Sequence, residues 1–146
     1  MMNQRQALPI NSPQAIEQAL AGKTIAVVGL SSNPQSPSYK IAAYLQGQGY
    51  HIIPVNPTEQ EVLGERAYPS LRDVPVPVDV VDIFRRADAV PGIVEDAIAV
   101  GAPTVWMQLG IVNEAAAQRA HDAGLNVVMD HCMRVEHRLR HGAQKM

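Results

Sequence analysis

Cysteine, phenylalanine and tryptophan each occur once in this chain, and aromatic residues make up only 4% of it. Cys132 therefore has no partner for an internal disulfide, which excludes a bridged framework. No apolar run approaches the roughly 18 residues that a membrane-crossing helix needs. The polar start from Met1 to Gln6 holds no apolar signal region. Both absences predict a cytoplasmic protein with no membrane partner. Excess charge of one sign is missing too: a formal net charge of -2 argues against a nucleic-acid partner. Also absent are a G-x-S-x-G elbow and a Walker A loop, so no nucleophilic triad or P-loop chemistry can be assembled. His131, Cys132 and His137 lack the second close pair of a zinc site, and no metal is expected.

What the chain does have is length and apolar content for one core: 146 residues, 47% of them hydrophobic. After an arm over residues 1–11, Ser12-Pro13 offers an N-cap and a first-turn proline, predicting a short helix through Leu20. Thr24-Ile25-Ala26-Val27-Val28-Gly29 is a continuous apolar run of strand length, as a strand buried on both faces requires. A polar loop over residues 31–38 precedes a helical apolar face of Tyr39, Ile41, Ala42, Ala43 and Leu45, which stops around Gly47 and Gly49. His51–Val55 and residues 78–84 read as the next strands, separated by an irregular stretch through residues 61–64 and a turn over 69–73. A helix over residues 91–100, a strand at Thr104–Met107, a helix over 113–123, a strand at Asn126–Met129 and a polar helix from about Met133 complete the order.

This alternation implies right-handed crossovers. The expected architecture is a flexible arm at residues 1–11 and one Rossmann-like α/β domain over residues 12–146. Its core is a doubly wound parallel sheet of about five strands. Ligands of such sheets lie beyond the carboxyl ends of the strands, so the loops that follow them are where chemistry is sought.

The first such loop is Gly29-Leu30-Ser31-Ser32-Asn33-Pro34. Its glycine lets backbone amides approach a phosphate, and its hydroxyl and amide side chains add donors near a helix N-terminus. The same residues also suit a plain polar turn. A dinucleotide G-x-G-x-x-G fingerprint needs two further glycines where Ser31 and Pro34 stand, which weakens an NAD reading. The second strand ends at Val55-Asn56-Pro57, where NAD-binding sheets commonly place an acid on the ribose 2′-hydroxyl. Neutral Asn56 removes repulsion toward a phosphorylated ribose, as in coenzyme A or NADP. It also fits an ordinary Asn-Pro turn.

The third strand runs Val80-Val81-Asp82-Ile83-Phe84 into Arg85-Arg86. Two guanidinium forks that match phosphate oxygens, and a ring able to cover adenine, thus arrive at the sheet end. Solvated arginines and a core phenylalanine are the plainer alternative. The last two strands end at Trp106-Met107-Gln108-Leu109-Gly110 and Asp130-His131-Cys132. Gln108 and Gly110 offer a ligand an amide and bare backbone, Trp106 is first of all a core candidate, and Cys132 reads as a redox thiol or an inert buried one.

With these residues together, the chain resembles the coenzyme A-binding domain family. The likeness is to its small single-domain members related to the N-terminal domain of the succinyl-CoA synthetase α subunit. It runs from about Lys23 to His137 through Val28-Gly29-Leu30-Ser31-Ser32-Asn33-Pro34, Pro37-Ser38-Tyr39, Ile53-Pro54-Val55-Asn56-Pro57, Glu61-Val62-Leu63-Gly64-Glu65, Val81-Asp82-Ile83-Phe84-Arg85-Arg86, Trp106-Met107-Gln108-Leu109-Gly110 and Met129-Asp130-His131-Cys132. The resemblance implies that Gly29, Ser31, Ser32, Asn33, Asn56 and Pro57 face nucleotide and phosphates. Lys40 joins them on charge, and Phe84, Arg85, Arg86, Gln108 and Gly110 come from the loops above. Two departures stand out: Ser36 and His131 occupy places where the small relatives usually carry arginine. The related synthetase phosphorylates a histidine in a second domain that this sequence does not contain, so ligase activity is not carried over.

The resulting expectation is a cytoplasmic protein that binds coenzyme A or an acyl-CoA without a reaction of its own. It would act as a carrier, sensor or partner subunit, as a homo-oligomer or beside a partner enzyme. An NAD(P)-dependent oxidoreductase, with His131 and Tyr39 as its plausible proton donors, is one rival. An interaction subunit whose nucleotide site has decayed is the other.

Overall fold

Helix starts follow the sequence closely. Ser12 Oγ accepts the Ala15 N–H at 3.1 Å to begin α1 (Pro13–Leu20), and Asn113 Oδ1 accepts the Ala116 N–H at 3.0 Å to begin α4 (Glu114–Asp122). The remaining helices are α2 (Pro37–Gly47), α3 (Val90–Val100) and α5 (Met133–His141). The apolar runs become β1 (Thr24–Val28), β2 (His51–Val55), β5 (Val80–Ile83), β6 (Thr104–Met107) and β7 (Asn126–Met129). These facts come from a computed structural model that describes residues 7–141. The stretch read as irregular holds a small antiparallel hairpin, β3 (Glu61–Val62) and β4 (Glu65–Arg66). Its turn uses left-handed backbone at Leu63 (φ 57°) and Gly64 (φ 78°), as a two-residue hairpin demands.

The five long strands are all parallel, in the order β2-β1-β5-β6-β7. The chain steps outward from β1 to β2, then crosses back to β5 on the other side of β1. Loops leaving β1 and β5 therefore diverge and open a crevice beyond their carboxyl ends.

Alternate strand residues feed two cores. Ala26, Val28, Ile53, Val55, Val81 and Ile83 pack with Val94 of α3 and Ala120 of α4. On the opposite face, Ile25, Val27, Ile52, Val80, Trp106 and Val128 pack with residues of α1, α2 and α5. Each fully buried aliphatic side chain contributes about 1.5–3 kcal/mol. Asp82 interrupts this pattern. It is fully buried, alternation turns it to the Val80 face, and its register neighbours are Val27 and Trp106. Among the described residues neither carboxylate oxygen has a hydrogen-bond partner, and burial raises its pKa well above the ordinary carboxylate value.

Both edges of the sheet are closed. Tyr68 N–H donates to Pro54 O at 3.0 Å and Asn56 N–H to Tyr68 O at 2.9 Å along the outer side of β2. Pro54 is tolerated there because its missing N–H faces away from β1. At the other edge, Asn11 N–H donates to Val127 O at 3.1 Å, and Met129 N–H donates to Asn11 Oδ1 at 2.6 Å. Of the arm expected over residues 1–11, residues 1–6 lie outside the described residues, while Leu8 and Ile10 pack partly buried against the two cores. Among the described residues no helix is long and apolar enough to cross a membrane.

Candidate functional site

Three strand ends meet at Gly29. Its N–H donates to Val55 O at 2.8 Å, and Phe84 N–H donates to Val28 O at 2.8 Å, lacing β1 to β2 and β5. At φ 94°, a Cβ on Gly29 would stand 2.5 Å from Phe84 O and 3.4 Å from Arg85 Nε. Only glycine fits, and the Arg85 side chain lies along the gap that glycine leaves. Arg85 is partly buried and, among the described residues, makes no hydrogen bond or ion pair. A guanidinium brought to a strand end and left without an acceptor is ready for an anion.

The loop after Gly29 is tied by its own side chains. Ser31 N–H donates to Ser38 Oγ (3.0 Å), Asn33 N–H to Ser31 Oγ (3.0 Å) and Gln35 N–H to Asn33 Oδ1 (2.9 Å). Ser36 and Ser38 hydroxyls meet at 2.9 Å. The exception is Ser32, whose N–H donates to the Glu59 carboxylate at 2.9 Å. Ser36 leads into α2 without a side-chain cap, so the first turn of that helix keeps open donors. Lys40 is exposed on the same turn region.

Asn56 is buried and works as a staple between loops. Its Nδ2 donates to Leu30 O at 3.1 Å, while its Oδ1 accepts from Thr58 N–H (3.1 Å) and Thr58 Oγ1 (2.9 Å). Beside it, Pro57 helps line an apolar hollow of about 250 Å³ with Val28, Val55, Leu71, Ile93 and Arg85. Asp96 on its wall is held by Arg72 at 2.6 Å. A larger open groove of about 740 Å³ adjoins it across Pro57 and Pro69.

Other expected residues have structural partners. Arg86 is exposed and paired with Asp88 at 3.0 Å, a bond that lowers the Asp88 pKa and raises that of Arg86. Buried Gln108 accepts the Met133 N–H on Oε1 at 3.1 Å, supporting the start of α5. Gly110 N–H donates to the Asp130 carboxylate at 2.7 Å. Phe84 packs partly buried against the α1, α2 and α5 core, and its carbonyl closes over Gly29. Trp106 is a core residue whose Nε1 donates to His131 O at 2.8 Å. His131 Nδ1 meets Glu136 at 3.0 Å, and Cys132 and Tyr39 pack partly buried in the same core. Among the described residues no group of three metal-binding side chains gathers. Two features escaped the sequence reading. Val28 and Val55 were legible as strand residues but not as the wall of a hollow, and nothing marked Glu59.

Parallel sheets with this strand order take nucleotides at the crevice between the first strand and the one across the reversal. The chain is thus of the Rossmann-like α/β class. Its residues 23–138 match the CoA binding domain, and it belongs to that family. It is 45% identical over 115 residues to the uncharacterized protein YneT of Bacillus subtilis, which covers 79% of this chain and 85% of that one. A hypothetical protein from Pyrococcus horikoshii OT3 shares its structure at TM-score 0.84 and 37% identity, covering 95% and 98% of the two chains. The ADP-forming acetate–CoA ligase II of Archaeoglobus fulgidus is 33% identical over 81 residues, 54% of this chain but only 12% of that much longer protein.

Proposed function

We propose that this chain binds coenzyme A or an acyl-CoA in the crevice beyond β1, β2 and β5 and performs no reaction on it. The observation that carries the reading is Arg85, a partly buried guanidinium that has no acceptor among the described residues and lies against Gly29 at the rim of an apolar hollow. Coenzyme A is chemically suited to that pairing, since it joins anionic phosphates to a largely uncharged remainder. Membership of the CoA binding domain family supports the choice of ligand.

In this reading Arg85, the uncapped start of α2, Ser32, Asn33 and Lys40 meet the phosphates. Gly29 allows close approach, Ser31 holds the loop, and Asn56 with Pro57 shapes the opening. Arg86, Gln108 and Gly110 leave the set because Asp88, Met133 and Asp130 already engage them. The oxidoreductase alternative gains no support: His131 is engaged by Glu136, and Tyr39 packs into the core. The protein then serves in the cytoplasm as a carrier or sensor, or beside a partner enzyme.

Calorimetric titration tests the reading. Coenzyme A is expected to bind more tightly than NAD, and equal or tighter NAD binding would sink the assignment. Steady-state assays with several acyl-CoA substrates should show no turnover. Activity that survives purification and vanishes in a point variant of this chain would overturn the non-catalytic part.

A further inference from the structure

Within the β1–α2 loop, the amides of Ser31, Asn33, Gln35 and Ser36 are satisfied by neutral oxygens of the loop or of α2, but the Ser32 N–H is held by a carboxylate from a different loop. We infer that Glu59 is an internal anion standing at the mouth of the ligand site, which a bound phosphate must displace. This inference rests on the coenzyme A reading for its ligand and concerns how that site is regulated.

The turn after β2 brings Glu59 into position. Asn56 Oδ1 takes both the N–H and the hydroxyl of Thr58, and Glu59 N–H donates back to Asn56 O at 3.2 Å, which folds the segment over the β1–α2 loop. The resulting 2.9 Å contact is a charge-assisted hydrogen bond of the kind a phosphate oxygen would make with the same amide. One N–H serves one such acceptor well, and two anions at the same exposed amide repel each other, with solvent screening part of that repulsion. Carboxylate and phosphate are therefore rivals for Ser32.

The structure also offers somewhere for the displaced side chain to go. Glu59 and Arg66 both line the 740 Å³ groove, and Arg66, whose guanidinium lies 5.3 Å over the Tyr68 ring, makes no ion pair among the described residues. The staple from Asn56 to Leu30 does not involve Glu59, so release of the carboxylate leaves the two loops joined. A latch of this kind lowers the affinity of every ligand that needs the Ser32 N–H by the same factor, set by the cost of opening the Glu59 contact.

The test compares the parent with Glu59→Gln and Glu59→Ala. Glutamine keeps the size of the side chain and an oxygen acceptor for the Ser32 N–H but removes the charge. Coenzyme A should bind Glu59→Gln about three- to tenfold more tightly than the parent, a shift of up to one decade in Kd. Glu59→Ala should also bind more tightly. Equal or weaker coenzyme A binding by Glu59→Gln overturns the latch while leaving the coenzyme A reading intact. If coenzyme A binds neither protein, that reading fails and inorganic pyrophosphate decides the latch. A Ser32 amide NMR signal that responds at lower pyrophosphate concentration in Glu59→Gln supports it, and an identical response in both proteins overturns it.

Discussion

The carboxyl end of the sheet has two halves that treat their polar groups in opposite ways. On the β6 and β7 side, Gln108, Gly110, Trp106 and His131 all have partners inside the protein, and an exposed Leu109 covers their loop. On the β1, β2 and β5 side, Arg85 has no acceptor among the described residues, α2 begins without a side-chain cap, and an apolar hollow stays open. Sequence reading associates ligand residues with both halves, Gln108 and Gly110 being those on the β6 and β7 side. The difference lies in satisfaction: a polar group already paired at good distance has structural work, and a group held in place without a partner is available to a ligand.

The largest effect expected from that contrast is at Gly29. Gly29→Ala forces a Cβ against the Phe84 carbonyl at a backbone angle that alanine tolerates poorly, so strand ends and Arg85 must shift together. Urea denaturation should show a loss on the order of 3 kcal/mol, accompanied by loss of coenzyme A binding. A variant that binds and unfolds like the parent would mean that the lacing of the three strands does not set the site.

Next comes the pair of arginines. Arg85→Ala should weaken coenzyme A binding by about ten- to hundredfold with little change in stability, as loss of a charge-assisted contact predicts. Arg86→Ala, whose side chain is already paired in solvent, should bind within about twofold of the parent. Equal effects at both positions would erase the distinction between a paired guanidinium and an unpaired one.

Asp82 belongs to neither half, since it sits buried in the central strand with no partner. Its folded-state pKa lies above its unfolded value, so the native protein holds the proton more tightly. Stability is therefore greatest below the unfolded carboxyl pKa and falls as pH rises from there toward the folded pKa. Asp82→Asn should match the parent below the unfolded carboxyl pKa and become the more stable of the two as pH rises above it, flattening the profile of unfolding midpoint against pH. A parent whose stability rises over that range would show that Asp82 is charged and paired.

Gln108 gives the smallest and cleanest contrast. Gln108→Ala leaves the Met133 N–H buried without its acceptor and should lower stability by about 1 kcal/mol, with coenzyme A affinity unchanged. Loss of affinity at unchanged stability would return this residue to the ligand site.

Most of the fold was legible because each buried strand is a contiguous apolar run and because the start of α1 at Ser12 is local chemistry. The short β3–β4 hairpin was missed because two-residue strands leave no periodic signal. Site residues were only half legible. Gly29 announces itself as a glycine at a strand end, yet Arg85 and Arg86 are identical in sequence, and only the fold turns one along Gly29 and the other toward Asp88. Glu59 meets Ser32 across 27 positions, and no local pattern encodes such a meeting. Asn56 was read correctly as neutral, but its partners, Leu30 and Thr58, make it a joint between loops.

The closed edges of the sheet carry a consequence for modularity. Asn11 and Tyr68 occupy the outer backbone groups of β7 and β2, so neither flank invites strand addition from another copy or from a neighbouring domain. A unit finished in this way can be joined to other chains through its loops and helices without fusing their sheets. Such a unit is transposable: it can stand beside unrelated machinery and still present the same crevice, with its folding insulated from whatever is attached.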